Sequence, residues 1–282
     1  MMKPLETPES LRERWKSGIW KETLDAILAE AARTTRKISA EFLRSLNIPE
    51  CEARLDLRGI PFFEPLDPRA HGHDKCPLRL YGDEYRDIDF SHAIMRFYLG
   101  NTKLTNLLFC DAILENCDIW DCEISRCSFN NAFMPWLGIA RGTRIVNSVF
   151  DHSKIRHYAI VRGYASFEGC SFLKLDWRMI NFSRCLFENC VFSGHLQKAH
   201  ADSSSGHGLH AIIDYYSKLR YKGYNVFKDC SFDKLMVTRF SIEDGSLTLQ
   251  NCTGFPTFYL PSKEFRSDRD FYSDNTKPKM IL

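Results

Sequence analysis

Three groups of side chains carry residue types that could do metal or acid-base chemistry. The run His71-Gly72-His73-Asp74-Lys75-Cys76 offers two imidazoles and a thiol. Four of the nine histidines, His195, His200, His207 and His210, crowd into a short stretch. Cys117, Cys122 and Cys127 repeat at intervals of five. Imidazole and thiolate together select transition metals such as zinc, which takes four ligands in a tetrahedron. The first run shows no fourth ligand, and four prolines surround it in a loop composition. The histidine-containing stretch opens with Ser203-Ser204-Ser205-Gly206 and continues as an amphipathic pattern through Leu209, Ile212, Ile213, Tyr216 and Leu219. A polar loop followed by a helix lying on the molecule accounts for it without a metal. The cysteine spacing contains no paired C-x-x-C. We expect no metal site and no cofactor.

Catalytic constellations are also missing from the sequence. It holds no nucleophile elbow, Walker loop or H-E-x-x-H helix, so we expect no enzyme. An enzyme would need a site between the 195–225 segment and the rest of the fold, where no nucleophile, base and orienting group can be named together. The strongest candidate for binding is basic. Arg141, Arg144, Lys154, Arg156 and Arg162 face Asp151 as the one acid between 141 and 162. Such a ledge could accept an acidic partner segment, with His152 and His157 adding pH dependence. Alternatively Arg141 pairs with Asp121, about twenty residues earlier.

These residues must be positioned by whatever element the apolar pattern dictates, and that pattern has period five. From Ile94, steps of five reach Leu99, Leu104, Phe109, Leu114, Ile119, Ile124, Phe129, Met134, Ile139, Arg144 and Val149. After one extra residue come Ile155 and Ile160; after two more come Phe167, Phe172, Trp177, Phe182, Phe187 and Phe192. Beyond an interruption the series resumes in phase at Phe227, Phe232, Val237, Ile242 and Leu247. Every centre but Arg144 is apolar. On an α-helix a step of five turns about 500°, scattering these side chains around the cylinder. On a straight strand successive centres fall on opposite faces. A chain that bends through about a right angle every five residues sends all of them inward, and four sides close one coil of about twenty residues. Arg144 cannot enter such an apolar column unpaired, so it must be expelled by a bulge or paired with an acid. The position two before the centre carries Ala112, Cys117, Cys122, Cys127, Ala132, Ala165, Cys170, Cys185, Cys190 and Cys230. Seven of the eleven cysteines therefore have a packing role.

The runs Ala112-Ile113-Leu114-Glu115-Asn116, Cys117-Asp118-Ile119-Trp120-Asp121 and Cys127-Ser128-Phe129-Asn130-Asn131 resemble the pentapeptide-repeat family. The resemblance spans roughly 87–194 and 226–250 and implies an all-β fold, a right-handed quadrilateral β-helix. Asp176-Trp177-Arg178-Met179-Ile180-Asn181-Phe182-Ser183-Arg184-Cys185 is similar to a stretch of the Qnr-type quinolone-resistance group. That likeness implies protection of DNA gyrase or topoisomerase IV, in some relatives through an acidic, DNA-like surface. Here Asp111, Glu115, Asp118, Asp121 and Glu123 form an acidic band, but twenty residues on stand Asn131, Pro135, Gly138, Arg141 and Thr143. The stripe does not continue into the next coil.

The chain divides into an N-terminal helical segment (1–50), a Pro-rich connection (51–86), the β-helix (87–253) interrupted at 195–225, and a tail (254–282). Within the first segment Thr7 precedes Pro8 at a helix start, and Leu11, Trp15, Ile19, Ile27 and Leu28 recur near helical spacing. Ser39 caps a shorter helix. This segment covers one end of the column or, alternatively, forms an oligomerisation helix that would make a homodimer. Of 282 residues, 38 are Lys or Arg and 36 Asp or Glu, a net charge of +2. That balance excludes wholesale disorder and a polyelectrolyte grip on nucleic acid, and direct nucleic-acid binding is not expected. No apolar run is long enough for a membrane span, and Met1-Met2-Lys3-Pro4 leads into no signal core, so the expected location is the cytoplasm. The expected function is a non-enzymatic protein-protein interaction scaffold, with topoisomerase binding as the alternative.

Overall fold

The computed structural model describes residues 6–34, 37–62, 78–155, 158–198, 225–238, 247–254, 257–260 and 279–280. Short parallel strands stack in register into two long sheets, one of eleven strands and one of eight. Between them runs a continuous apolar column. The fold is an all-β β-helix with small helical parts. No helix among the described residues is long and apolar enough to cross a membrane.

Strand register resolves the column into four files of inward side chains. The first file runs Tyr85, Leu104, Ile124, Ile145, Phe167, Phe187, Phe227 and Leu249. The second is Phe90, Phe109, Phe129, Phe150, Phe172, Phe192 and Phe232, whose rings lie 4.8–5.6 Å apart centre to centre. That spacing is close to the separation of adjacent strands, so one ring per coil stacks without gaps. Met95, Leu114, Met134, Ile155, Trp177 and Leu196 form the third file. Leu80, Leu99, Ile119, Ile139 and Val161 form the fourth.

The bends are legible in backbone torsions. Two residues after a rung the chain enters the left-handed region at Asp87, Asn106, Arg126, Asn147, Asn189 and Asp229 after the first file. The same occurs at His92, Asp111, Asn131, His152 and Lys174 after the second, and at Asn101, Asp121, Arg141 and Arg184 after the fourth. Asn and Asp tolerate that region best, which explains the polar places of the five-residue unit. Between the third and fourth files no such turn occurs among the described residues, and one strand, Ile113–Trp120, serves both.

The phase differs from the sequence reading at five rungs. Arg144 is exposed and Ile145 takes its place in the column, so an extra residue enters between Ile139 and Ile145 rather than before Ile155. Phe150, not Val149, is then the buried rung, and Val161 follows Ile155 after six residues. Leu249, in register with Phe227, is the rung expected at Leu247, and Met95 is buried where Ile94 is only half-buried. The physical reason is the charge: shifting the phase by one expels Arg144 and brings Ile145 inward.

Strands already stand at Leu78–Tyr81 and Glu84–Arg86, upstream of the series that begins at Ile94. Across the interruption the register holds, with Phe187 opposite Phe227 and Phe192 opposite Phe232. The seven cysteines at the small positions are all buried. The thiols of Cys122, Cys127, Cys170, Cys185, Cys190 and Cys230 lie against backbone carbonyls, as in Cys127 Sγ to Ser125 O at 3.4 Å and Cys190 Sγ to Glu188 O at 3.3 Å. Burial pushes the Cys122 and Cys127 thiols up to about 11.

The N-terminal segment packs its apolar side on the column through Trp15, Ile27, Ala31 and Leu43. It is broken into α1 (Pro8–Glu13), a 3-10 turn (Arg14–Lys16), α2 (Gly18–Arg33) and α3 (Ala40–Ser45). Thr7 and Ser39 cap α1 and α3 as expected. Because Gly18 takes a positive φ after the 3-10 turn, the helical phase resets, and Ile19 and Leu28 are exposed. The segment is fastened by Asp56, which accepts from Nη1 and Nη2 of Arg14 (2.9 and 2.7 Å) and from Nε and Nη2 of Arg58 (2.9 and 2.8 Å).

Candidate functional site

The corner that follows the fourth file gathers half-buried and exposed aromatic and cationic side chains. Its outward residue in successive coils is Tyr81, Gly100, Trp120 and Ala140, held in register by the strands beneath. The Tyr81 ring lies 5.8 Å from Trp120, and the Tyr98 ring lies 5.4 Å from Trp120. They meet over Gly100, where a Cβ would approach the Trp120 and Tyr81 rings to 2.7 and 2.8 Å. Only glycine leaves that room. Cations sit on these rings: Lys37 4.7 Å from the centre of Tyr81, Arg79 5.7 Å from Tyr98, and Arg141 5.0 Å from Trp120. Further along, Tyr164 is 69% exposed, and Arg184 lies 5.8 Å from its ring with Nη1 donating to the hydroxyl at 3.4 Å.

The backbone at this corner is enlarged where the arginines begin. Leu99 to Leu104 and Ile119 to Ile124 take five residues, whereas Ile139 to Ile145 and Val161 to Phe167 take six. The extra residue forms a wider turn through Arg141-Gly142 and Gly163-Tyr164, four residues that all take positive φ. The Gly142 N–H donates to Gly163 O at 2.8 Å, tying the two turns together. In the preceding coils Asp83, Glu84, Lys103, Asp121 and Glu123 line a shallow, open depression at the same corner.

Of the basic residues singled out in the sequence, Arg141 joins the aromatic corner. Its guanidinium rests on Trp120 and makes no ion pair with Asp121. The backbone of Arg162 reaches the same corner, in register with Ser183, while its side chain lies outside the described set. Arg144 stands on the adjoining first face, where Nη2 meets Glu168 Oε2 at 2.6 Å. Lys154 is exposed on the third face, in register with Asp176. Arg156, His157, the His71–Cys76 run and His200, His207 and His210 lie outside the described residues. His195 is half-buried in the strand Val191–Lys198. Among the described residues no group of three or more metal-ligating side chains assembles.

Sequence reasoning missed Tyr81, Tyr98, Trp120 and Tyr164. The signal available was the position after each fourth-file rung, where Tyr81 and Trp120 follow Leu80 and Ile119. The acidic band also resolves. Glu115 meets Arg96 at 3.4 Å, Asp111 accepts from Asn131 Nδ2, and Lys103 lies 3.8 Å from Glu84 and 3.7 Å from Glu123. Down the first face the outward residues read Glu84, Lys103, Glu123 and Arg144, alternating in sign.

No family model matches the chain, and no curated protein matches it. Among solved structures it is similar to full-length QnrB1, a plasmid-mediated fluoroquinolone resistance protein, at 15% identity over 73% of this chain and 92% of that one, with a TM-score of 0.23. A trypsin-treated variant of QnrB1 gives 14% identity over 79% and 99%, with a TM-score of 0.19. Scores that low leave the fold to be read from this chain's own strand register, which fits the pentapeptide-repeat pattern.

Proposed function

We propose that the chain is a non-enzymatic interaction scaffold that docks a protein partner on the corner built from Trp120, Arg141, Tyr164 and Arg184. The observation that carries this reading is the group of tilted and edge-on aromatic rings with cations on their faces, set outside the apolar column. Tyr, Trp and Arg are the side chains that dominate protein interfaces, because each offers large contact area at low entropy cost. A guanidinium lying on a ring keeps its N–H edge for a carboxylate while its plane is already fixed, so little order remains to be imposed on binding. The partner suited to the basic stretch is an acidic segment. A cytoplasmic setting accords with free buried thiols.

The sign alternation on the first face gives no support to a DNA-like acidic stripe. Topoisomerase binding is therefore the rival that the test must meet. Partners captured from the native host are identified by mass spectrometry, and their affinity is compared for the wild type and the Arg141→Glu, Tyr164→Ala double variant. We expect a loss of at least about tenfold with folding retained, as for removal of interface anchors. Unchanged affinity would overturn the corner as the docking surface. In a gyrase supercoiling assay the protein should neither inhibit nor rescue the enzyme from a quinolone at micromolar concentration, and clear protection would replace the acidic-segment partner with a topoisomerase.

A further inference from the structure

The position two before each second-file rung forms a file of its own. In coil order it holds Ile88, Leu107, Cys127, Ser148, Cys170, Cys190, Cys230 and Cys252. Cysteine thus fills four consecutive coils, and the backbone fixes the succession. Cys170 O accepts from the Val191 N–H at 3.1 Å, Cys190 O from Ser231 at 2.9 Å and Cys230 O from Thr253 at 2.9 Å. The four side chains repeat one geometry. Each thiol meets the carbonyl two residues earlier at 3.3–3.5 Å. Each also meets a carbonyl of the coil before, on Ile145, Phe167, Phe187 and Phe227 in turn, at 3.3–3.5 Å. Sulfurs placed alike on successive coils are separated by one strand spacing, about 4.8 Å. The Cys190 thiol is pushed above its ordinary value chiefly by hydrogen bonding with Cys170 and Cys230, as three sulfurs in mutual reach require.

We propose that this ladder of sulfurs binds soft, two-coordinate monovalent cations of the Cu(I) class, one between Cys230 and Cys252 and one between Cys170 and Cys190. A metal–thiolate bond is about 2.3 Å long, so an ion midway between two sulfurs needs them about 4.6 Å apart. The strand spacing supplies nearly that separation with the backbone in place. Zinc does not fit, because it takes four ligands, and among the described residues no group of three assembles. Thiolates select Cu(I), for which two sulfurs in line suffice. Neighbouring gaps exclude each other, since one thiolate does not hold two ions in a straight line on opposite sides; the four sulfurs therefore fill as two pairs. Each ion enters as one thiol proton leaves, so the charge of the site is unchanged and no electron is transferred. No isolated charge is added to the apolar interior. Entry begins at Cys252, which is half-buried where the other three are buried. Cys122 and Cys185 provide the contrast: in the adjacent coils Cys122 has Thr102 and Thr143, and Cys185 has Ala165 and Asn225.

The full chain, reduced and kept anaerobic, is titrated with Cu(I) delivered as its acetonitrile complex, in competition with a coloured Cu(I) chelator. The wild type should retain two ions, with X-ray absorption showing two sulfur neighbours around each. Cys230→Ser with Cys252→Ser should lose one ion, Cys170→Ser with Cys190→Ser the other, and the four changes together both. Serine is tolerated at this place, since Ser148 holds it in the coil before Cys170 and donates to Val146 O at 3.0 Å. Circular dichroism checks that each variant folds. Cys122→Ser with Cys185→Ser should leave the count at two. A wild type that retains no ion against the chelator, folded ladder variants that keep both, a control pair that loses as much as a ladder pair, or three sulfurs around each ion would each overturn the proposal.

Discussion

Phe187→Ala should be among the most damaging single changes in the column. The Phe187 ring is 1% exposed and stacks between Phe167 and Phe227, each 4.6 Å away and within 12° of parallel. The edges of Phe172 and Phe192 close its sides at 6.1 and 5.6 Å. Truncation removes about 2–3 kcal/mol of apolar burial, and a cavity adds up to about 2 kcal/mol unless the walls move in. They cannot move far: the rungs above and below are held by strand register through Phe167, Phe187 and Phe227. The sum is about 4 kcal/mol. Phe187→Leu refills most of the volume and loses chiefly the two stacked contacts, about 1–2 kcal/mol. Urea unfolding followed by both circular dichroism and tryptophan fluorescence reads these values from the shift in midpoint, provided the slope is unchanged. A cost below about 1.5 kcal/mol for the alanine variant, at constant slope, would refute the rigid-column argument.

Two further outcomes follow from the described packing. Cys117, Cys122, Cys127, Cys170, Cys185, Cys190 and Cys230 should react slowly with a thiol reagent in the native protein, while the half-buried Cys51, Cys110 and Cys252 react first; all become fast in denaturant. Rapid native labelling of most thiols would contradict the register. Asp56 governs an acid limb. Burial alone would raise its carboxyl, but hydrogen bonds from Arg58 and Arg14 hold it at about 2 against an ordinary 3.8. Its contribution, of order 2 kcal/mol, is therefore present above about pH 3.8 and lost as the pH falls through about 2. The Asp56→Asn variant should show a flatter acid limb and lower stability at neutral pH, whereas an unchanged limb would detach the cap's stability from this carboxylate.

The column was readable because its period is imposed by inward packing, and inward packing tolerates few residue types. Phe109, Phe129, Phe187 and Phe192 each sit where the five-residue count puts them. A fixed step of five fails between Ile139 and Ile145, where a one-residue shift in phase decides whether Arg144 or Ile145 faces inward. Burial energetics decide that case, since an arginine inside costs far more than an enlarged turn outside. The second-file turn at His152 likewise shows that the left-handed position admits residues other than Asn and Asp when the fold demands it. The N-terminal helices were visible by their caps, Thr7 and Ser39, but the reset of phase at Gly18 was not.

Outward positions carry no such signature, and the aromatic corner was opaque for that reason. Tyr81, Trp120 and Tyr164 satisfy no periodic rule that the column needs. Their meaning appears only when coils are stacked and the rings meet their cations. Yet the same six-residue steps that disturb the period also generate the corner's protrusion. An insertion into a solenoid cannot be absorbed by the core, because every inward place is matched to a rung above and below. It must be displaced to the surface at a bend. The positions where the repeat loses its regularity are therefore the positions where the surface is reshaped, and here they coincide with the wider turns through Arg141-Gly142 and Gly163-Tyr164. In a fold whose interior is uniform, function has to be written in those departures, which is why Arg141, Gly142, Gly163 and Tyr164 are the first residues to vary in any search for a partner.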